Sequence, residues 1–147
     1  IKLGPALERV ADNAVNIAQR VLHLSKYPLL KPLIDLPRML ALAHAMVSDA
    51  IAAYVDRDAA AAREIINRDD EVDKLYWQLF RELLTFMIEN PENISRAIDL
   101  ILVARFIERI GDQAENICEE VVYLVEAQPI RHQREEDTEE RSEGSDQ

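Results

Sequence analysis

Leu7-Glu8-Arg9-Val10-Ala11-Asp12-Asn13-Ala14-Val15-Asn16-Ile17 is repeated one hundred residues later as Ile107-Glu108-Arg109-Ile110-Gly111-Asp112-Gln113-Ala114-Glu115-Asn116-Ile117. Extended to Leu24 and Leu124, the two copies agree at 8 of 18 positions without a gap. Self-similarity at a fixed offset marks a duplicated structural unit. Each copy carries two carboxylates four residues apart, and on a helix that spacing places them on one face with Cβ atoms about 6 Å apart. Two oxygen donors so placed can share a hard cation. The repeated element is therefore a helix bearing a candidate metal-ligand pair.

Working outward, four helices can be read. The first runs from about Pro5, a residue suited to an early helical position, to about Lys26. Its apolar seam is Leu3, Leu7, Val10, Ala14, Ile17, Val21 and Leu24, in the alternating four-three spacing of bundle packing. Tyr27-Pro28 and Lys31-Pro32 break it. A second helix is expected from Leu33 or Pro37 to Tyr54. The turn Asp56-Arg57-Asp58 follows, with Asp58 placed to cap a long third helix over Ala59–Glu89. Asn93 is placed to cap the fourth, Ile94 to Ala127, whose seam of Val103, Ile107, Ile110, Ala114, Ile117, Val121 and Leu124 continues the repeat. From Arg131 onward apolar residues vanish and charge dominates, so a disordered acidic tail is expected over 128–147.

Composition agrees with long helices and few turns. Of 147 residues 48% are hydrophobic, with only 3 Gly and 6 Pro. The net charge is −11, and residues 1–130 carry 14 basic against 21 acidic side chains, a net −7. Nucleic acid is excluded as a partner, since phosphate contacts require clustered Lys and Arg. The single Cys118 rules out an internal disulfide and a cysteine-based zinc cage, and it fits a reducing cytoplasm. No apolar run approaches the roughly 18 residues of a bilayer span.

The third helix carries the sharpest anomaly. Its seam is Ile65, Asp69, Val72, Tyr76, Leu79, Leu83 and Phe86, so Asp69 falls where an apolar side chain belongs, with Asp73 one turn later. A buried carboxylate needs a cation or hydrogen bonds to compensate it. Taken alone, Asp69 reads as a residue near a bundle end that reaches water or pairs with Arg68. Glu108 and Asp112 alone read as a solvated pair neutralised by Arg105 and Arg109. Two acidic pairs on helices expected to be antiparallel neighbours change that weighing. Asp69, Asp73, Glu108 and Asp112 are expected to converge on a hard ion, because carboxylate-only donors select such ions over zinc or copper. Asn116 continues the stripe one turn on. None of His23, His44 and His132 has a Glu three residues before it, so the ligand pairs of di-iron bundles are absent. His44 is a candidate phospho-accepting histidine, which defines an alternative class: a histidine-phosphotransfer bundle.

Together these residues resemble a known family. Leu7-Glu8-Arg9, Asp12 and Asn16-Ile17 match its motif, as do Arg68-Asp69-Asp70-Glu71-Val72-Asp73, Phe80–Met87 and Phe106–Ile117. The match extends to the linker Leu30-Lys31-Pro32-Leu33 and Leu36-Pro37-Arg38-Met39. The family is the PhoU regulators of phosphate uptake. The resemblance implies an all-α fold: an antiparallel three-helix repeat over residues 37–127, preceded by residues 1–26 as the last helix of an incomplete first repeat and by a linker over 27–36. It implies metal held by Glu/Asp-x-x-x-Asp motifs, iron, manganese or magnesium, with Asp69, Asp73, Glu108 and Asp112 in the second repeat's site and Glu8 and Asp12 in half of the first's. It also implies a cytoplasmic regulator, not an enzyme, that links the ATPase subunit of the phosphate ABC transporter to a sensor histidine kinase. Such a protein meets the membrane only through its partners. Ala11 stands where Gly111 stands in the second copy. Because the first helix lacks its usual neighbours, it is expected to fold back on the bundle or, preferentially, to pair with a second chain.

Overall fold

Asp58 accepts a hydrogen bond from the Ala61 amide at 3.0 Å and starts the longest well-packed helix of the chain. A computed structural model describes residues 3–143, with side chains to residue 127, and all of its regular structure is helical. The elements are α1 (Leu3–Leu24), α2 (Asp35–Asp56), α3 (Ala59–Glu89), a short 3-10 turn (Pro91–Asn93) and α4 (Ile94–Glu143). Between α2 and α3 the chain reverses at Arg57, whose φ of 51° lets its amide close on the Ala53 and Tyr54 carbonyls. That left-handed position is a common way to end a helix. At the other reversal Asn90 accepts from the Glu92 amide. Asn93, expected as a helix cap, lies in the 3-10 turn and ties Phe86 O to Arg96.

The helices α2, α3 and α4 form an antiparallel three-helix bundle, and α1 packs on α4 alone among the described elements. Met39, Met46, Ile65, Val72, Leu79, Leu83, Ile107 and Cys118 are its most deeply buried large side chains. Small residues on α2 (Ala43, Ala50 and Ala53) let the other two helices approach its backbone. By length and composition α2 would pass for a bilayer-crossing segment. Its apolar face is instead the bundle core, with Leu36, Met39, Ala43 and Met46 buried and Arg38, His44 and Asp49 on the outside.

Two sequence expectations are corrected here. The helical backbone of α4 continues to Glu143, where a disordered tail was expected over 128–147. The segment is rich in Glu, Arg and Gln, which favour a helix without needing burial, and residues 144–147 lie outside the described residues. The second correction concerns α1. Its buried positions are Ala6 and Asn13, flanked by Leu3, Val10, Ile17 and Leu24, whereas Ala14 and Val21 of the expected seam are exposed. A helix with one neighbour buries a single stripe, and here that stripe is centred on the small Ala6 and on Asn13. Asn13 satisfies its buried amide within the helix by donating to Arg9 O at 2.8 Å.

One contact sets how α1 meets the bundle. Asp99 of α4 is 5% exposed and accepts from Arg20 Nη1 at 3.1 Å and from His23, with Nδ1 carrying the proton, at 2.9 Å. At the other end of the pair Leu3 shares a cleft with Val121, Leu124 and Val125, so α1 and α4 run antiparallel. The linker is pinned as well. Lys31, itself buried, donates to Glu82 at 2.5 Å, and Arg96 donates to the Pro28 carbonyl at 3.1 Å.

Candidate functional site

On α3 the seam position of Asp69 leaves it 9% exposed, facing α4. The expected rescue by Arg68 does not occur. Arg68 turns away and binds Glu64 at 2.7 Å and Asp49 at 2.6 Å, leaving Asp69 without a paired cation. Its Oδ1 is buried and has no hydrogen-bond partner. Asp69, Asp112 and Glu115 each bring an oxygen to a common point, the three atoms lying within 4.8 Å of one another.

The backbone opposite explains how this is possible. A Cβ built on Gly111 would stand 3.2 Å from Asp69 Oδ1, so the missing side chain makes the room that the carboxylate occupies. Glu115 follows Asp112 by three residues and Gly111 by four, which keeps all three positions on one side of α4. Burial pushes the Asp69 carboxyl up to about 8, aided by a hydrogen bond to Glu115 and by the charges of Asp73, Glu115 and Asp112. Asp73, Glu108 and Asp112 are also raised, in each case chiefly by burial. The groove resists holding four negative charges on its own.

The six acids expected from the sequence therefore divide. Asp69 and Asp112 meet. Asp73 lies near enough to raise Glu108 and to be raised by Asp112, and both belong to the same groove without joining the tight cluster. Glu108 is held by Arg105 Nη1 at 2.8 Å, the local ion pair that an exposed i, i+3 spacing favours. Glu8 and Asp12 are exposed on α1 and join no cluster among the described residues. Asn116, expected on the stripe, lines a cleft with Ala6, Arg9 and Gln113 on the α1 side. Glu115 takes its place facing α3. It went unnoticed in the sequence because Val15 stands at its position in the first copy, and a comparison of repeats discards what does not recur. His44 is exposed on α2, away from the acids. The thiol of buried Cys118 is pushed up to about 11 by burial, so it stays protonated.

Comparison with known proteins fits this geometry. The PhoU domain model matches residues 36–121, which cover α2, α3 and α4 through the acidic groove. The chain belongs to the PhoU family. A phosphate-specific transport system accessory protein PhoU homolog of Aquifex aeolicus is 42% identical over 132 residues, spanning 90% of this chain and 60% of that protein. The corresponding Deinococcus radiodurans protein is 42% identical over 119 residues, covering 81% of this chain and 56% of its own length. Among solved structures, PhoU from Pseudomonas aeruginosa superposes with a TM-score of 0.79 at 36% identity, over 83% of this chain and 59% of that one. The PhoU from Streptococcus pneumoniae gives 0.74 at 31% identity, over 82% and 56%. The chain thus spans under two thirds of the PhoU relatives it matches.

Proposed function

We propose that this chain is part of a PhoU-type regulator that binds a hard metal ion between α3 and α4 and controls phosphate uptake by binding partner proteins. The partners are the ATPase subunit of the phosphate ABC transporter and a sensor histidine kinase, met at the cytoplasmic face of the membrane. Family membership and the accessory-protein names of its relatives support the phosphate-transport part of this reading. The observation that carries the metal part is Asp69, whose buried Oδ1 has no partner and which brings a carboxylate oxygen within 4.8 Å of those of Asp112 and Glu115.

The residues fit such an ion. All donors are oxygens, the set expected for magnesium, manganese or iron, and Gly111 leaves the space that Asp69 needs. Asp69, Asp112 and Glu115 would hold it, with Asp73 and Glu108 completing a second rank of acids. When bound, the ion supplies positive charge that offsets the mutual repulsion of the carboxylates. The protein's own contribution is to orient these groups: α3 presents Asp69 from the core, and α4 presents Asp112 and Glu115 from one face. An α3–α4 groove whose charge depends on metal is a surface that a partner can read in two states.

Changing Asp69→Asn, Asp112→Asn and Glu115→Gln together in the full-length parent should raise phosphate-starvation gene expression in high phosphate. Unchanged repression at normal protein level would remove the regulatory role of the site. The reading also includes self-association, supported by Val15, Val21 and Leu22, which α1 leaves 50–67% exposed. Sedimentation of this chain should show a species larger than a monomer at rising concentration, and a monomer throughout would contradict it.

A further inference from the structure

The acids between α3 and α4 stop half-way along, but the helix faces that carry them continue. On α3 the line Asp69, Asp73, Trp77, Phe80, Leu84, Ile88 advances in steps of three or four residues, so it stays on one face. On α4 the line Ile94, Ile98, Ile101, Arg105, Glu108, Asp112 does the same in the opposite chain direction. The Arg105 guanidinium lies 6.0 Å over the Tyr76 ring, and Asn93 donates to Phe86 O, which sets the register of the two lines. One long face results, acidic at its Asp69 end and apolar at its Ile88 end.

The apolar half is open to solvent. Trp77, Leu84, Ile88, Ile94 and Ile98 are 38–83% exposed. Trp77 meets Tyr76 and Phe80 edge to face at 5.2 and 5.6 Å, a stiff aromatic platform at the boundary with the acids. A contiguous exposed patch of this kind, centred on Trp and Tyr, has the chemistry of a binding surface. Beyond the boundary Arg105 is committed to Glu108, whereas Asp73 and Asp112 have no ion pair among the described residues.

Resting on the partner-binding half of the reading above, and not on its metal half, we propose that this face docks an amphipathic helix of a partner protein. The helix lays an apolar stripe against Trp77, Leu84 and Ile98 and sets lysine or arginine side chains against Asp73 and Asp112. From Asp73 to Ile88 the face is about 22 Å long, which matches roughly four helical turns, and such helices are held by anchors at i, i+3 or i+4, and i+7. Charge selects this occupant over a second copy of the chain. The chain is at −11, and its other exposed apolar line, through Val15 and Leu22 of α1, begins with Glu8 and Asp12. A second copy would bring carboxylates to carboxylates, a juxtaposition that a basic end avoids.

Trp77 is the single tryptophan of the chain, so its emission reports on this face alone. The probe is a tryptophan-free helical peptide of about 18 residues, long enough for the span. It carries leucines in four-three spacing on one face and lysines in its first turn, where the helix's own positive pole also meets the acids. Added to chelator-treated chain, it should move the Trp77 emission to shorter wavelength and saturate. A companion peptide with glutamates for the lysines should bind about tenfold more weakly. Leu84→Glu with Ile88→Glu should weaken binding by about tenfold or more. Asp73→Asn with Asp112→Asn should weaken it about fivefold and remove the preference for lysine. Val55→Glu, at an exposed apolar position of α2, should change nothing. Circular dichroism checks that each variant is folded, and the comparison of the two peptides on the unaltered chain needs no variant. Equal binding of the two peptides would overturn the basic end, and no saturating shift of Trp77 would overturn the docking face. An emission shift produced by concentrating the chain alone, and lost in Leu84→Glu with Ile88→Glu, would give the face to a second copy instead. Because the chain is metal-free throughout, failure here leaves the metal reading standing, and failure of the gene-expression test above leaves this face standing.

Discussion

Raised from pH 5 to pH 8.5 in the presence of chelator, the chain is expected to unfold at lower urea concentration, and Asp69→Asn to abolish most of that loss. Asp69 has its carboxyl pushed up to about 8 by burial, against an ordinary value of 3.8. Between those values the folded chain holds a proton that the unfolded chain releases, so stability falls with rising pH across that window and levels off above it. Each pH unit traversed by one such proton is worth about 1.4 kcal/mol, making the expected change several kcal/mol. Asp73, Glu108 and Asp112 are shifted in the same direction, chiefly by burial. Manganese should reverse the trend, because it binds the deprotonated carboxylates, so its affinity should climb with pH up to about 8. A metal-free chain whose urea midpoint is flat or rising between pH 5 and 8.5 would show that Asp69 is ionised without help.

The contact between α1 and the bundle leads to the second large effect. Asp99 is buried, whereas the side chains of Arg20 and His23 that reach it are 44% and 46% exposed. Removing both donors strands a buried carboxylate, while removing the carboxylate lets both donors rehydrate. Arg20→Ala with His23→Ala should therefore destabilise by about 3 kcal/mol, more than Asp99→Asn, which leaves an amide able to accept from the same groups. Hydrogen exchange should localise the change to α1, with faster exchange along Val10–Leu24 and little in α3. Equal losses from the two replacements, or uniform exchange through the bundle, would mean that α1 is held by apolar packing alone.

Most of the fold was legible because it follows from local pattern. The four-three seams, the prolines of the linker and the cap at Asp58 placed all four helices, and α3 begins and ends where its sequence implied, although the cap expected at Asn93 lies at Asn90. The rotation of α1 was not legible. A seam read from one helix assumes neighbours on either side, and α1 has α4 alone, so Ala6 and Asn13 moved in and Val21 moved out. Asp99 escaped notice because its partners lie nearly eighty residues away and its own helix shows nothing unusual around it. At the site, Asp69 announced itself as a charge on an apolar seam. Its third companion did not, because the repeat that revealed Asp112 carries valine where Glu115 stands. Arg105 and Arg68 show the limit of spacing arguments: both lie beside acids, yet one neutralises Glu108 while the other leaves Asp69 alone.

The central claim is that the acidic groove of α3 and α4 is a metal site built on Asp69, Asp112 and Glu115. Crystals of this chain soaked in manganese(II), with diffraction recorded at the metal's absorption edge, test it most directly. The account predicts an anomalous peak between α3 and α4 within about 2.0–2.6 Å of carboxylate oxygens from all three residues. A peak bound only by Glu8 and Asp12, or a groove without a peak beside Asp69 still protonated against Glu115, would contradict it.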